Sequence, residues 1–210
     1  MLKHTKKILN IYDRIQRKLL YMIPEKWDKL YLYCSVLENP DFKGELYFYY
    51  IPRGILKKSP VNVYEIPTKF NISEKEYIEL VGTLFEEFKE VKEAFIETSP
   101  YDIWSNLTLS IEENKFKVEY FYDKNLKTDE WSNYERHLIW RYNYVDNNIR
   151  FLNKREKGII DNYINGPKTI CEKDVYEAYI YQGEVNNIID YDTYTDVEIK
   201  EDNVKIKDKK

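Results

Sequence analysis

Apolar side chains recur every three or four residues in three segments of the chain, which is the spacing of one face of an α-helix. The first segment covers residues 5–23 and is followed by Pro24, which disfavours helical geometry. The second begins at Ser73, whose hydroxyl and the Glu76 carboxylate have the spacing of a capping box. The third covers residues 132–145. The apolar positions are Ile8, Tyr12, Ile15, Leu19 and Ile23, then Tyr77, Leu80, Leu84, Phe88, Val91 and Phe95, then Tyr134, Leu138, Tyr142 and Val145.

The segments between these helices have the alternation and aromatic content of β-strands. Pro67 ends the third of them, and Glu113 and Asn114 form a tight turn between the last two. The order α-β-β-β-α-β-β-α, with short connections, predicts an α+β fold in which helices flank an antiparallel sheet. The five predicted strands cover residues 30–36, 45–51, 61–66, 104–112 and 115–122.

The remainder of the chain has a different character. A polar cluster at residues 146–148 precedes a segment that is interrupted by Gly158 and by Gly166 with Pro167. We therefore expect a main domain at residues 1–146 and a small C-terminal appendage at residues 147–210. The appendage is acidic and partly ordered, with a short helix or strand between residues 174 and 181.

Composition excludes two broad classes of protein. Hydrophobic residues make up 43% and charged residues 33% of the 210 residues, which is neither a disordered nor a membrane-spanning composition. The basic N-terminus has no apolar segment behind it, so no signal peptide is expected. The two cysteines, Cys34 and Cys171, are too few for a disulfide framework and favour a reducing compartment. We therefore expect a cytoplasmic protein that does not bind a membrane.

The net charge is only −4, but the charges are unevenly placed. The first thirty residues are net basic, whereas the helix predicted at residues 73–97 is net acidic. Residues 172–202 hold ten carboxylates against two lysines. Acidic surfaces attract basic partners and accelerate their encounter, although charged runs also serve simply to keep a surface solvated. No direct binding of nucleic acid is expected.

Residues that could carry catalysis are scarce. The chain has only two histidines, His4 and His137, which argues against a general acid–base site built on histidine. Its six glycines are all isolated, so no glycine-rich loop could cradle a phosphate. No cofactor or metal is expected, and the acidic residues between Asp190 and Glu201 are interpreted as an acidic loop without metal. One alternative stays open, because Asp102 with Glu113 and Lys115 has the pattern of a metal-dependent nuclease site.

Four segments taken together resemble the YezG-type immunity proteins of Gram-positive bacteria, over about residues 5–146. The first two cover residues 24–33 and 44–50. The third contains Trp-x-x-Leu-x-Leu from Trp104 and the strand that follows it, and the fourth contains Glu-Arg-x-x-x-Trp-Arg-Tyr from Glu135. In combination these two motifs are fairly specific to the family.

The resemblance implies a cytoplasmic antitoxin that neutralises a polymorphic toxin of the LXG class, exported by type VII secretion and often a nuclease. It implies no catalytic residues. A nuclease has a basic cleft for phosphates, so an acidic surface of this chain is the expected nuclease-inhibiting site. The other readings are the metal-dependent nuclease above and a generic protein-interaction module. The predicted toxin-binding residues are Glu79, Glu86, Glu90, Glu93, Glu184, Asp190, Asp192 and Asp196.

Overall fold

The computed structural model describes residues 5–36, 44–54, 58–98, 103–113, 115–122, 131–166 and 173–179. They form five helices, six strands and two single 3₁₀ turns, at Val63–Glu65 and Ile149–Phe151. The helices are α1 (Lys6–Met22), α2 (Ile66–Phe70), α3 (Glu74–Thr98), α4 (Asn133–Tyr144) and α5 (Lys154–Asn165). The strands are β1 (Trp27–Val36), β2 (Gly44–Pro52), β3 (Val61–Asn62), β4 (Asn106–Glu112), β5 (Lys115–Phe121) and β6 (Lys173–Tyr179). This confirms the predicted α+β class.

The six strands form one sheet in the order β3-β2-β1-β4-β5-β6, and every neighbouring pair is antiparallel. The predicted hairpin is confirmed, with Ile111 opposite Phe116 and Leu107 opposite Tyr120. Strand β1 lies between β2 and β4, so the two predicted groups of strands join into a single sheet.

One face of the sheet is predominantly apolar and forms the main core with α1 and α3. The registers align Leu46, Cys34, Leu107 and Tyr120 in one row across four strands. Helix α1 begins where the Thr5 hydroxyl accepts a hydrogen bond from the Ile8 amide, at 3.4 Å. The helix buries Ile8, Ile11, Tyr12, Ile15, Leu19 and Met22 against this face, and α3 buries Tyr77, Val81, Leu84, Phe88, Val91 and Phe95.

The opposite face is aromatic on β1 and β2 and is covered there by α4. Trp140 packs against Tyr33 and Tyr47, with ring centroids 6.0 and 5.2 Å apart. The Trp140 indole also donates a hydrogen bond to the Thr108 hydroxyl at 2.9 Å. Helix α5 then packs on the outer side of α4 through Leu138, Ile139, Ile159 and Ile160. Helix α4 therefore lies between two partners.

The structure differs from two of the predictions, namely the length of the third strand and the buried face of α4. Strand β3 ends at Asn62, because the Asn62 side chain accepts a hydrogen bond from the Tyr64 amide and starts a 3₁₀ turn. Pro67 does not end a strand but lies in the first turn of α2, where its missing N–H costs nothing. In α4 the buried residues are Leu138, Ile139 and Trp140, whereas Tyr134 is 47% exposed. A helix held on two sides buries more than one stripe.

The described part of residues 147–210 packs on the same framework. Helix α5 starts at a capping box formed by Asn153 and Glu156, and the predicted element near residue 174 is strand β6. Strand β6 pairs with β5 and places Tyr176 in the main core, stacked on Tyr12 at 5.6 Å between ring centroids. The division of the chain at residue 146 stays a prediction.

Candidate partner-binding surface

Helices α1 and α3 run antiparallel, and a row of ion pairs joins the basic side of α1 to the acidic side of α3. Glu87 stands at its centre and is only 7% exposed. Burial alone raises the pKa of the Glu87 carboxyl, but hydrogen bonds from Arg14 and Lys18 outweigh burial and hold that pKa below its ordinary value. The pairs are Lys7–Glu97 at 2.7 Å, Arg14–Glu90 at 2.5 Å, Arg14–Glu87 at 2.7 Å and Lys18–Glu87 at 2.8 Å.

The mutual neutralisation of these two charged helices was not predicted from the sequence, in which each helix was considered alone. A signal was present, because Lys7, Arg14 and Lys18 are spaced at seven and four residues along one helical stripe. Their acidic counterparts on α3 have the matching helical spacing in the reverse direction. Many of the unevenly placed charges are therefore neutralised by ion pairs within the molecule.

The predicted site residues Glu79, Glu86, Glu90 and Glu93 all lie on the exposed face of α3. Their spacings of seven, four and three residues align them in one stripe. Glu90 is paired with Arg14, and Glu86 with Lys89 at 2.7 Å. Within the described part of the chain, Glu79 and Glu93 have no ion-pair partner. These two carboxylates can therefore bind a basic group without first breaking an internal contact.

The other four predicted site residues, Glu184, Asp190, Asp192 and Asp196, lie outside the described residues. The structure thus bears only on the α3 half of the predicted surface.

The structure describes two of the three residues of the nuclease alternative, and both have other roles in the fold. Asp102 lies outside the described residues. Glu113 occupies the hairpin turn with a left-handed backbone (φ 48°), and the Lys115 ammonium is paired with Glu177 of β6 at 2.9 Å. Among the residues that the structure describes, no three His, Cys, Asp or Glu side chains are grouped to hold a metal ion.

His137 lies on the side of α4 that packs against the sheet, where its side chain has a structural role. Its ring stacks on Tyr47 with centroids 3.9 Å apart, and its Nε2 is hydrogen-bonded to the Tyr49 hydroxyl at 2.9 Å. Burial, together with the nearby Arg141 guanidinium, lowers the pKa of His137 to about 4. The imidazole is therefore neutral near pH 7 and serves to seat α4 on the sheet.

The charges left at the surface of α3 form a helix face, and the conspicuous aromatic and histidine side chains are used in packing. The exposed acidic face of α3 is thus available for contact with another molecule. No helix in the described ranges is long and apolar enough to cross a membrane.

Comparison with known proteins identifies the family. The family described as immunity protein YezG-like matches residues 8–157. Immunity protein YezG of Bacillus spizizenii is 31% identical over 163 residues, which are 76% of this chain and 94% of that protein. Immunity protein YezG of Bacillus subtilis is 31% identical over 134 residues, which are 63% of this chain and 84% of that protein. Type VII secretion system protein EsaG of Staphylococcus aureus is 29% identical over 140 residues, which are 66% of this chain and 78% of that protein. The chain belongs to the YezG-like immunity protein family.

Family membership confirms the resemblance inferred from the four sequence segments, and it extends the matched region about ten residues beyond the expected end at residue 146. Because the family and two of these relatives are named as immunity proteins, the chain has an immunity role, which implies a toxin as its partner, and it is not an enzyme. The nuclease alternative built on Asp102, Glu113 and Lys115 is accordingly set aside.

Proposed function

We propose that this chain is a cytoplasmic antitoxin that binds a cognate polymorphic toxin of the LXG class, exported by type VII secretion, and that the toxin is a nuclease. Family membership is the observation that carries the immunity role. The link to type VII secretion is supported by the relative named as a type VII secretion system protein. The cell that makes the toxin is protected because the complex blocks the toxin before export.

The acidic stripe of α3 supports a nuclease as the target. A nuclease binds phosphates through a basic cleft, and an acidic surface complements such a cleft. Glu79 and Glu93 are 14 residue steps apart, so the stripe is about 21 Å long. Glu79 and Glu93, which stand at its two ends, are the carboxylates without an internal ion pair among the described residues. They are proposed as the first groups to engage the toxin, and the acidic residues between positions 172 and 202 as the second set.

Co-expression tests the immunity role. The toxin domain encoded beside this gene is expressed alone and together with this chain, and cell survival and co-purification are scored. Survival with a stable 1:1 complex is the expected result. Continued killing without complex formation would overturn the proposed pairing.

Charge reversal tests the docking surface. Glu79→Lys with Glu93→Lys removes the two unpaired carboxylates of the stripe. The matched control, Glu65→Lys with Asp161→Lys, changes net charge equally at exposed positions outside α3. We expect the stripe variant to slow association with the toxin about tenfold at low salt, because local charge steers the encounter. The control should bind like wild type.

Reversal of Glu184, Asp190, Asp192 and Asp196 forms a third arm of the same experiment. If neither this variant nor the stripe variant differs from the control, docking does not depend on these acidic surfaces. The immunity role would then stand with a different binding surface.

The nature of the toxin is tested separately. The purified toxin domain is incubated with DNA and with RNA, with and without this chain. Degradation that the chain suppresses at equimolar concentration is the expected result. Neutralisation of a toxin that degrades neither nucleic acid would remove the nuclease assignment and leave the immunity role intact.

A further inference from the structure

The two edges of the sheet differ in how well they are protected. At one edge, β3 pairs with only two residues of β2, and the Tyr64 hydroxyl donates a hydrogen bond to the Leu46 carbonyl at 3.0 Å. That bond occupies a backbone acceptor of β2 which β3 leaves open. At the other edge, β6 is seven residues long, and within the described residues no strand pairs with its outer side. A long edge strand is a ready template for pairing with another chain.

The side chains of β6 are arranged symmetrically around Val175. Lys173, Val175 and Glu177 share the sheet face opposite the main core, and Val175 is 48% exposed there. A basic residue two positions before Val175 is thus balanced by an acidic residue two positions after it. Reversing the strand direction about Val175 exchanges the lysine with the glutamate. The face of β6 is therefore complementary in charge to an antiparallel copy of itself.

We propose that β6 pairs antiparallel with β6 of a second copy of this chain, in the register that places the two Val175 residues opposite each other. In that register Lys173 of each copy faces Glu177 of the other, and the two exposed valines cover one another. Opposite charges and apolar side chains directly across two strands stabilise pairing. A shift of the centre by one residue, to Tyr176, would place Val175 opposite Glu177 and lose both ion pairs. The sequence of β6 thus selects one register.

Contacts within the chain hold these side chains in position. The Lys173 ammonium lies 2.8 Å from Glu119, and Glu177 is paired with Lys115 at 2.9 Å. Each residue therefore stays on the outer face of the sheet, and pairing would extend two existing ion pairs into a network across the dimer axis. Strand β6 lies beyond residues 8–157, the part that matches the family, so this pairing is inferred for this chain and does not rest on its proposed function.

Light scattering of the full chain gives the first test. The monomer mass is 25.6 kDa, so the proposed dimer has twice that mass. We expect dimer at about 100 μM, where an assembly with a micromolar dissociation constant is mostly formed. A monomer at that concentration would overturn the proposal.

Charge swapping tests the register. Lys173→Glu alone and Glu177→Lys alone each place like charges opposite one another in the homodimer. Either change should weaken dimerisation about 2- to 30-fold, from the range of cross-strand pair energies counted at two sites. When the two variants are mixed, every glutamate faces a lysine, and dimer should return as a heterodimer. Failure of the mixture to assemble, or wild-type behaviour of both single variants, would refute this register.

Disulfide trapping gives an independent readout if a charge variant folds poorly. Directly opposed residues in antiparallel strands have Cα atoms about 4.5–5.5 Å apart, which suits a disulfide. Val175→Cys in a Cys171→Ser background should therefore form a covalent dimer when treated with diamide. The matched control is Ile164→Cys, at an exposed apolar position on α5. Equal cross-linking of both variants, or none of Val175→Cys, would contradict pairing through β6.

Discussion

Replacing Lys92 with methionine tests how α3 is fixed to the sheet. Lys92 is only 2% exposed, and its ammonium donates hydrogen bonds to the carbonyls of Val36 and Trp104, both at 2.7 Å. The ammonium also lies 4.9 Å from the centroid of the Trp104 ring. Val36 is the last residue of β1 and Trp104 stands just before β4. One buried side chain therefore connects the C-terminal half of α3 to two adjacent strands at the same end of the sheet.

Two opposing terms decide the magnitude of the change. Hydrogen bonds to a charged group contribute about 1.5–3 kcal/mol each, so the two bonds together contribute about 3–6 kcal/mol. Methionine keeps most of the packing of the aliphatic stem, and it also recovers part of the several kcal/mol that burial of the ammonium costs. It cannot satisfy the two carbonyls, and each buried unsatisfied group costs about 1–3 kcal/mol. We expect Lys92→Met to lower the free energy of unfolding by about 2–4 kcal/mol.

Urea denaturation followed by tryptophan fluorescence measures this effect. With a slope of about 2 kcal/mol per molar urea, the midpoint should fall by about 1–2 M at unchanged slope. The matched control is Lys89→Met in the same helix, where the lysine is paired with Glu86 and lies over the Phe85 ring. That control should lose less than about 1 kcal/mol. Equal losses in the two variants, or a more stable Lys92→Met, would show that desolvation of the ammonium outweighs its hydrogen bonds.

Three other side chains give separate predictions. The pKa of His137 is about 4 in the fold against 6.5 in the unfolded chain, so the unfolded state takes up the proton first and stability falls between pH 6.5 and pH 4. After discounting for solvent screening we expect this loss to be about 1–2 kcal/mol in urea titrations, and His137→Gln should lack it. If the variant loses as much as wild type, the assignment is wrong. The lowered pKa of Glu87 means that its ion pairs stabilise the fold above about pH 4.5 and lose that effect as pH falls through the folded-state pKa. Arg14→Met should therefore cost about 1–2 kcal/mol at pH 7 and progressively less below pH 4, and a cost independent of pH would contradict this. Trp140→Phe removes the hydrogen bond to Thr108, and the melting temperature should fall by about 1–6 °C, whereas an unchanged melting temperature would refute a stabilising role.

The elements defined by local sequence periodicity were predicted correctly from the sequence. The helical stripes of α1 and α3 and the alternation of β4 and β5 each persist over seven or more residues, so the periodicity is unambiguous. The break at Pro24 is equally local, because the helix ends at Met22 and Ile23 is extended. These elements were predicted to within a few residues of their observed bounds.

Elements whose environment is set by distant parts of the chain were predicted less well. Residues 61–66 have strand composition, but only Val61 and Asn62 reach a partner, and a side-chain turn competes from Asn62 onward. In α4 a single stripe was expected, whereas Trp140 faces the sheet and Leu138 faces α5. The sequence of α4 itself contains no signal that α5 packs on its other side.

The sequence by itself determined the family, through motifs spread over four segments, and the α+β class, through periodicities that need no partner to be read. It also indicated a binding protein, because the residues that catalysis requires are scarce. Only the tertiary structure decided which charges are available for binding. Ion pairing depends on atoms a few ångströms apart, and the packing of α1 against α3 neutralises Glu87, Glu90 and Glu97 while leaving Glu79 and Glu93 without a partner among the described residues.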